Sequence, residues 1–373
     1  MSTQKPLTIF GSFGFGNIGD EAIPYALADL LQQLKLDYEL SIVSRFDSPA
    51  MDSVIGLGAV HTDTLDKLRG QPSIIAGGGI VEAKDISSIL RYKHYIEKVQ
   101  PSHSAIIAGS FEFGVNYGWK IKRQLRHVFS QMDAIYTRDY LSELYFKETF
   151  PEQQVSTLGD MVLGMKADAE KPADISLEKD HYIAVCLSDT WSKDPEWLPW
   201  IGDELKALSN TLNRPLLFVP MSCHSSDDDR IEHRRISEHL KANGIKHEPH
   251  TLDQQYDPRA VSAILRDAHL VIAMRLHSCV MAYAQQTPFV GISYHPKLMG
   301  FAQTVGWRPF LLPAKNAPMK QDTDKYGYAF SSLTLQQGDL VTMADKALEH
   351  GEFNLLPVLI DNLKQALQHF LNR

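Results

Sequence analysis

The 373-residue chain carries 37 Lys plus Arg against 45 Asp plus Glu, a formal net charge of −8. At about 150 residues per domain, this length holds two domains, each large enough to bury a full core. A composition 44% hydrophobic and 22% charged excludes disordered, collagen-like and coiled-coil chains, and the net acidity argues against broad nucleic-acid binding.

Along the chain, short apolar, β-branched runs alternate with helical patterns. A strand at 7–10 runs into a glycine-rich loop at 11–19. A helix at 20–34 follows, with Ile23, Leu27, Leu30, Leu31 and Leu34 at helical spacing. Further strands are predicted at 40–43, 73–76, 105–108 and 134–137, with helices near 87–99, 119–131 and 139–147. These strands lack period-two alternation, which is the pattern of a parallel sheet buried on both faces. The charged stretch 166–180 (KADAEKPADISLEKD) reads as a linker. A second series of strands follows at 182–187, 215–219, 270–273 and 289–292. The fold class is therefore α/β, with two Rossmann-like, doubly wound domains facing across a cleft. Functional residues in such folds gather at the carboxyl ends of strands. The terminal segment 354–373 is amphipathic, with Leu363, Leu367 and Leu371 on one side, and is expected to dock on the body.

No stretch approaches 18 apolar residues, and the N-terminus lacks the pattern of a secretory signal, so a cytoplasmic protein is expected. Peripheral association with a membrane stays open, and the sequence sets no oligomeric state. Three widely spaced cysteines (Cys186, Cys223, Cys279) build no disulfide framework and read as buried, inert thiols in a reducing compartment.

Four constellations carry possible chemistry. The first is GSFGFGNIGDEAI at 11–23, where Gly14, Gly16 and Gly19 match a dinucleotide-binding spacing. Asp20 and Glu21 stand where a pyrophosphate would meet the helix. Three readings remain: a dinucleotide site, a structural turn, or a sugar-side or catalytic loop using Gly16, Asn17, Asp20 and Glu21. The second is Gly77-Gly78-Gly79 at the end of a strand, either a turn or a close approach to a ligand. The third is Met274-Arg275-Leu276-His277-Ser278, again strand into helix. The guanidinium fork of Arg275 and the helix N–H groups suit phosphate or carboxylate, and His277 can exchange a proton near neutrality. The fourth is Tyr294-His295-Pro296-Lys297 after the next strand. A metal site at 221–229 (MSCHSSDDD) lacks a defensible ligand spacing, and capping of the next helix by Ser226 or Asp227 explains the same residues.

These segments, together with YTRDYLSELYF, TLGDMVL and AMRLHSCVMAYAQQTPFVGISYHPKLMGF, resemble the polysaccharide pyruvyl transferases, in the same order from Ile9 to Phe301. The resemblance implies a ketal pyruvyltransferase with a fold similar to B-type glycosyltransferases. Its domains would be 1–166 on the acceptor side and 180–350 on the donor side, with a docked helix at 351–373. The donor is phosphoenolpyruvate, a co-substrate, with no cofactor and no metal. The acceptor is a glycan, lipid-linked or not; no nucleic acid is involved. The resemblance places Arg138, Arg275, Leu276, His277 and Lys297 at the donor. His277 is the expected acid, assisted by Arg275, and Asp20 or Glu21 the expected base. Gly16, Asn17, Glu21, Gly78, Gly79, Glu112 and His295 are the expected acceptor contacts. Two departures bear on the acceptor: 110–113 reads Ser-Phe-Glu-Phe where a small polar turn is usual, and His295 replaces a frequent Asp. The alternative activity is a B-type glycosyltransferase with a nucleotide-sugar donor. A non-catalytic sugar- or nucleotide-binding module and a nicotinamide dehydrogenase stand behind it.

Overall fold

The computed structural model describes residues 4–43, 59–60, 62–81, 87–112, 118–188, 196–313 and 336–373. The chain divides into two compact units. The first comprises Met1–Phe15, Asp20–Met165 and Pro357–Arg373; the second comprises Gly16–Gly19 and Lys166–Leu356.

The first unit is built on a parallel sheet of β1 (Lys5–Phe10), β2 (Tyr38–Val43), β3 (Ala59–Val60), β4 (Ser73–Ala76), β5 (Gly79–Val81), β6 (Ser104–Phe111), β7 (Ala134–Thr137) and β8 (Ser156–Thr157). The strand order is β3-β2-β1-β4-β6-β7-β8, with β5 also paired to β6. The order reverses between β1 and β4, which makes the carboxyl ends of these two strands the natural crevice. Both glycine-rich segments leave from there. Helices α1 (Ile18–Gln33), α2 (Ser87–Val99), α3 (Trp119–Phe129) and α4 (Tyr140–Thr149) connect the strands. Every residue of β4 and β6 is buried, the physical origin of their predominantly apolar, non-alternating pattern. Phe10 stacks on Tyr95 at 4.3 Å, while Phe111, Phe129, Phe146 and Phe150 form an edge-to-face cluster.

Ser110 and Phe111 do not open a turn. Ser110 and Phe111 finish β6, Phe111 is buried in the core, and Phe113 lies outside the described residues. The terminal helix α11 (Leu356–Leu371) buries Leu363 and Leu367 and sets Phe370 against His103 at 4.8 Å in the first unit.

The second unit repeats the plan. Its sheet, β9 (Ile183–Cys186), β10 (Leu216–Phe218), β13 (His250–Thr251), β14 (Leu270–Ala273), β15 (Phe289–Ser293) and β16 (Leu311–Pro313), runs in the order β13-β10-β9-β14-β15-β16, all parallel. Its reversal point lies between β9 and β14. A short hairpin, β11 (Cys223–His224) with β12 (Asp227–Asp228), precedes α6 (Asp229–Ala242). The other helices are α5 (Trp197–Leu212), α7 (Pro258–Arg266), α8 (Leu276–Ala284), α9 (Pro296–Thr304) and α10 (Asp339–His350). The stretch 166–180 forms no helix or strand, and Arg266 ties it down through the carbonyls of Asp168 and Ala169. Trp307 stacks on Phe289 at 4.6 Å and donates its indole N–H to the Phe289 carbonyl.

A fully buried acid, Glu204 on α5, accepts from the backbone N–H groups of Gly338 (2.5 Å) and Leu340 (2.7 Å) at the start of α10. It caps a helix more than a hundred positions away in sequence. Glu204→Ala is expected to lower unfolding stability by about 2 kcal/mol, since one buried and one half-buried donor lose their acceptor. Denaturant titration reads this, and a midpoint equal to that of the parent protein would refute it.

Candidate active site

The second unit's reversal point is built by three loops. β14 ends at Ala273, and Arg275 follows as the N-cap residue of α8. Arg275 makes no side-chain cap bond of its own at the start of α8, whereas Asp139, Asp228, Asp257 and His295 cap α4, α6, α7 and α9. The first turn of α8, beginning at Leu276, therefore presents backbone N–H groups and the positive end of its dipole at the strand-order reversal. β15 is hydrogen-bonded to β14 with Ala273 opposite Gly291, so the segment carrying His295 and Lys297 is the neighbouring loop. Arg275, Leu276, His277 and Lys297 are thus brought to the same edge of one sheet.

Sequence reasoning missed the two most intimate partners of Arg275. Its Nη1 and Nη2 donate to the two carboxylate oxygens of Asp227 at 2.8 and 2.5 Å. Its Nε and Nη2 donate to Oδ1 of Asp229 at 3.2 and 2.6 Å. The other oxygen of Asp229 accepts from the backbone N–H groups of Met221 and Ser222, both at 3.0 Å. The Asp run at 227–229 is therefore an anionic clamp on an arginine. Asp228, not Ser226 or Asp227, caps α6. Among the described residues no group of three or more His, Cys, Asp or Glu is arranged to hold a metal. The signal was the acidic run itself, but nothing in the sequence says which cation it faces. Burial pushes the Asp229 carboxyl up to about 6, against the opposing pull of Arg275. One turn along α6, burial pushes His233 down to about 3, so its neutral ring bonds through Nε2 to the Leu187 carbonyl at 2.9 Å, just past β9.

His277 is buried in the first turn of α8. Its imidazole lies against Gly19: a Cβ at position 19 would overlap the ring Nδ1 and Cγ. The last glycine of the 11–19 loop thus allows the close approach of a histidine. The Gly16–Gly19 segment is held by the second unit. Ile18 N–H donates to Met221 O at 2.9 Å, Cys223 N–H to Gly16 O at 3.2 Å, and Asn17 forms a bridge with Ser222. The Asn17 side chain accepts from Gly19 N–H at 3.0 Å, the geometry of a cap on α1. Gly19→Ala is expected to displace the His277 ring and cut turnover at least about tenfold, with most of the stability retained. Parallel activity and thermal-melt measurements check this, and an alanine variant with parental turnover would refute it.

In the first unit, Gly77 and Gly78 have φ of +60° and +65°, so the chain arches between β4 and β5 without reversing. A Cβ at Gly77 would overlap Ile23, while one at Gly78 would face Asp20 Oδ1 at 3.2 Å and Ser12 Cβ at 3.9 Å. Asp20, Ser12 and Gly78 therefore converge at the reversal point of the first sheet, with Glu21 next along α1. Gly79 opens β5, and Glu112 donates its backbone N–H to Val81 at 2.7 Å beyond β6.

Two expected site residues have structural partners, and one expectation, a buried Cys223, needs correction. Arg138, expected at the donor, sits in the first unit and is 2% exposed. Its guanidinium donates to Ser110 Oγ at 2.8 Å and Asp139 at 3.3 Å and lies 3.7 Å from Asp160, which occupies it structurally. His295, expected among acceptor contacts, lies in the second unit and caps α9 by accepting from Lys297 N–H at 3.3 Å. Cys223 is only half-buried, while Cys186 and Cys279 are enclosed and burial raises both thiols.

Solved structures share the architecture. UDP-N-acetylglucosamine 2-epimerase from Rickettsia bellii superposes with a TM-score of 0.59 at 10% identity, over 99% of this chain and 96% of that one. UDP-GlcNAc 2-epimerase from Neisseria meningitidis, bound to UDP-GlcNAc, gives 0.58 at 12% identity over 99% of both chains. The ADP-heptose lps heptosyltransferase II of E. coli gives 0.51 at 11% identity, over 93% of this chain and 99% of that one. At such identities the likeness concerns the fold, the Rossmann-like pair of units found in B-type glycosyltransferases. No curated protein sequence matches the chain. The polysaccharide pyruvyl transferase family model matches residues 17–296, which takes in Asn17–Gly19 at the end of the glycine loop, the Asp clamp, Arg275, His277 and the α9 cap. The chain belongs to the polysaccharide pyruvyl transferase family and is a transferase.

Proposed function

We propose that this enzyme moves the enolpyruvyl unit of phosphoenolpyruvate onto two hydroxyls of one sugar in a polysaccharide precursor, forming a pyruvate ketal and releasing phosphate. The observation that supports this most directly is the placement of Arg275 and His277 at the start of α8, where the Arg275 side chain makes no cap bond. A donor carrying both phosphate and carboxylate suits a guanidinium fork, a helix N-terminus and the ammonium of Lys297.

In this reading His277 protonates C3 of the donor as a sugar hydroxyl adds to C2. The C2–O bond to phosphate then breaks, and Arg275, Lys297 and the Leu276 N–H stabilise the departing phosphate. The second hydroxyl closes the ketal and gives up its proton. Asp20 is the base for an acceptor hydroxyl. It follows Gly19 in the chain, and Gly19 touches the His277 ring. The remaining acceptor contacts come from Gly78, Gly79, Glu21 and Glu112, and neither a cofactor nor a metal takes part.

The reading extends to an acceptor presented on a lipid carrier at the inner face of a membrane. Helix α3 supports it: Trp119 is 69% exposed beside Lys120, Lys122 and Arg123, and no acid occurs in the helix. No helix among the described residues is long and apolar enough to cross a membrane.

The test is incubation with phosphoenolpyruvate and a panel of free and lipid-linked glycans. Phosphate release and a pyruvate-ketal mass increment on one acceptor are expected. Turnover of a nucleotide-sugar with phosphoenolpyruvate inert would overturn the proposal in favour of a glycosyltransferase.

A further inference from the structure

The guanidinium of Arg275 has five N–H donors in a planar fork. Asp229 takes the Nε edge through one oxygen, shared with Nη2, and Asp227 takes the Nη1–Nη2 end with both oxygens. That end-on, two-oxygen geometry is the one in which a guanidinium binds a substrate carboxylate or phosphate. The two acids are not equivalent. The Asp229 side chain is 0% exposed and anchored by two backbone N–H groups; that of Asp227 is 39% exposed and carried on a hairpin whose strands are two residues each. Two carboxylates already surround one cation, so a multiply charged anion arriving there meets like charge until one of them withdraws.

We propose that Asp227 is an internal ligand that holds the donor's anion position on Arg275 and is displaced by the donor, while Asp229 is the positioning residue that keeps Arg275 in place throughout. The proposal rests on Arg275 being the anion-binding residue of the transfer reaction. Displacement screens donors: an anion must outcompete a tethered carboxylate, which disfavours monoanions and favours compact dianions and trianions that present two oxygens side by side. It also keeps the arginine aligned between turnovers, because its fork is never without a partner of the right shape.

The test uses the full-length enzyme with D227N, D227S and D229N, titrated calorimetrically with inorganic phosphate and separately with phosphoenolpyruvate. Removing a partly exposed competing charge is expected to tighten phosphate binding about 3- to 10-fold in both Asp227 variants, with a matching fall in the KM for phosphoenolpyruvate. D229N is expected to weaken phosphate binding about 10-fold or more, with a larger loss in kcat/KM than in thermal stability. A merely structural Asp227 would lower the melting temperature without tightening phosphate. Unchanged or weaker phosphate binding in both Asp227 variants, with parental turnover of phosphoenolpyruvate intact, overturns the displacement and leaves the donor reading standing. Tighter phosphate binding with no turnover of phosphoenolpyruvate supports the displacement and overturns the donor reading. A parent enzyme that binds neither anion overturns both.

Discussion

Arg275→Gln is expected to lower kcat/KM by about 10³-fold, because truncating one partner of a buried, hydrogen-bonded charge network costs roughly 2–5 kcal/mol and each 1.4 kcal/mol is tenfold. Asp229 would keep its two backbone donors but lose its cation while fully buried, so unfolding stability should also fall by about 3–5 kcal/mol. The pH dependence has a defined sign. The Asp229 carboxyl titrates at about 6 in the folded protein, above its ordinary 3.8. A folded-state value above the unfolded one contributes stability that is fully present below about pH 4 and lost as pH rises through 6. Removing Arg275 takes away the interaction that holds this value down, so the window moves upward and the carboxylate becomes costlier to ionise. The stability deficit of the variant should therefore be larger at pH 8 than at pH 5, as read by thermal melts across that range. An equal deficit at both pH values would show that Asp229 does not depend on Arg275.

The second large effect is expected at His277. His277→Gln keeps a polar side chain of similar reach above Gly19 but cannot exchange a proton, and turnover should fall by about 10²–10⁴-fold. Phosphoenolpyruvate should still bind within a few-fold of the parent affinity, because Arg275, Lys297 and the start of α8 are untouched. Calorimetry and a phosphate-release assay separate these two outcomes. Near-parental turnover would remove His277 from the chemistry and shift attention to Asp20 as the group that moves protons.

Much of the architecture was legible because it depends on local pattern. The runs at 73–76, 134–137 and 270–273 coincide with β4, β7 and β14, since the strands of a parallel sheet covered on both faces are predominantly apolar. The helix placed at 354–373 is α11, with Leu363 and Leu367 fully buried. Strands of two or three residues, such as β8, β11, β12 and β13, left no such pattern: they are too short to show a period and owe their pairing to neighbours far away in sequence. The candidate site divided in the same way. Arg275 and His277 announced themselves as a strand-to-helix junction with a fork and a ring. Arg138 looked equivalent, at another strand-to-helix junction followed by an Asp, yet its fork closes on Ser110, Asp139 and Asp160.

The sequence by itself determined the class of the protein: two α/β units, glycine segments at strand ends, cations at the starts of second-unit helices, and membership in a family. Those properties are carried by residues within a few positions of one another, where backbone geometry sets the spacing. Only the tertiary structure decided what each charge faces. It set Asp227 and Asp229 on Arg275, turned Arg138 inward, and made Gly19 the seat of His277. The physical reason is that a charge's role depends on its partners and its solvation. Both come from chain segments tens to hundreds of residues apart, which only packing brings to within hydrogen-bonding distance.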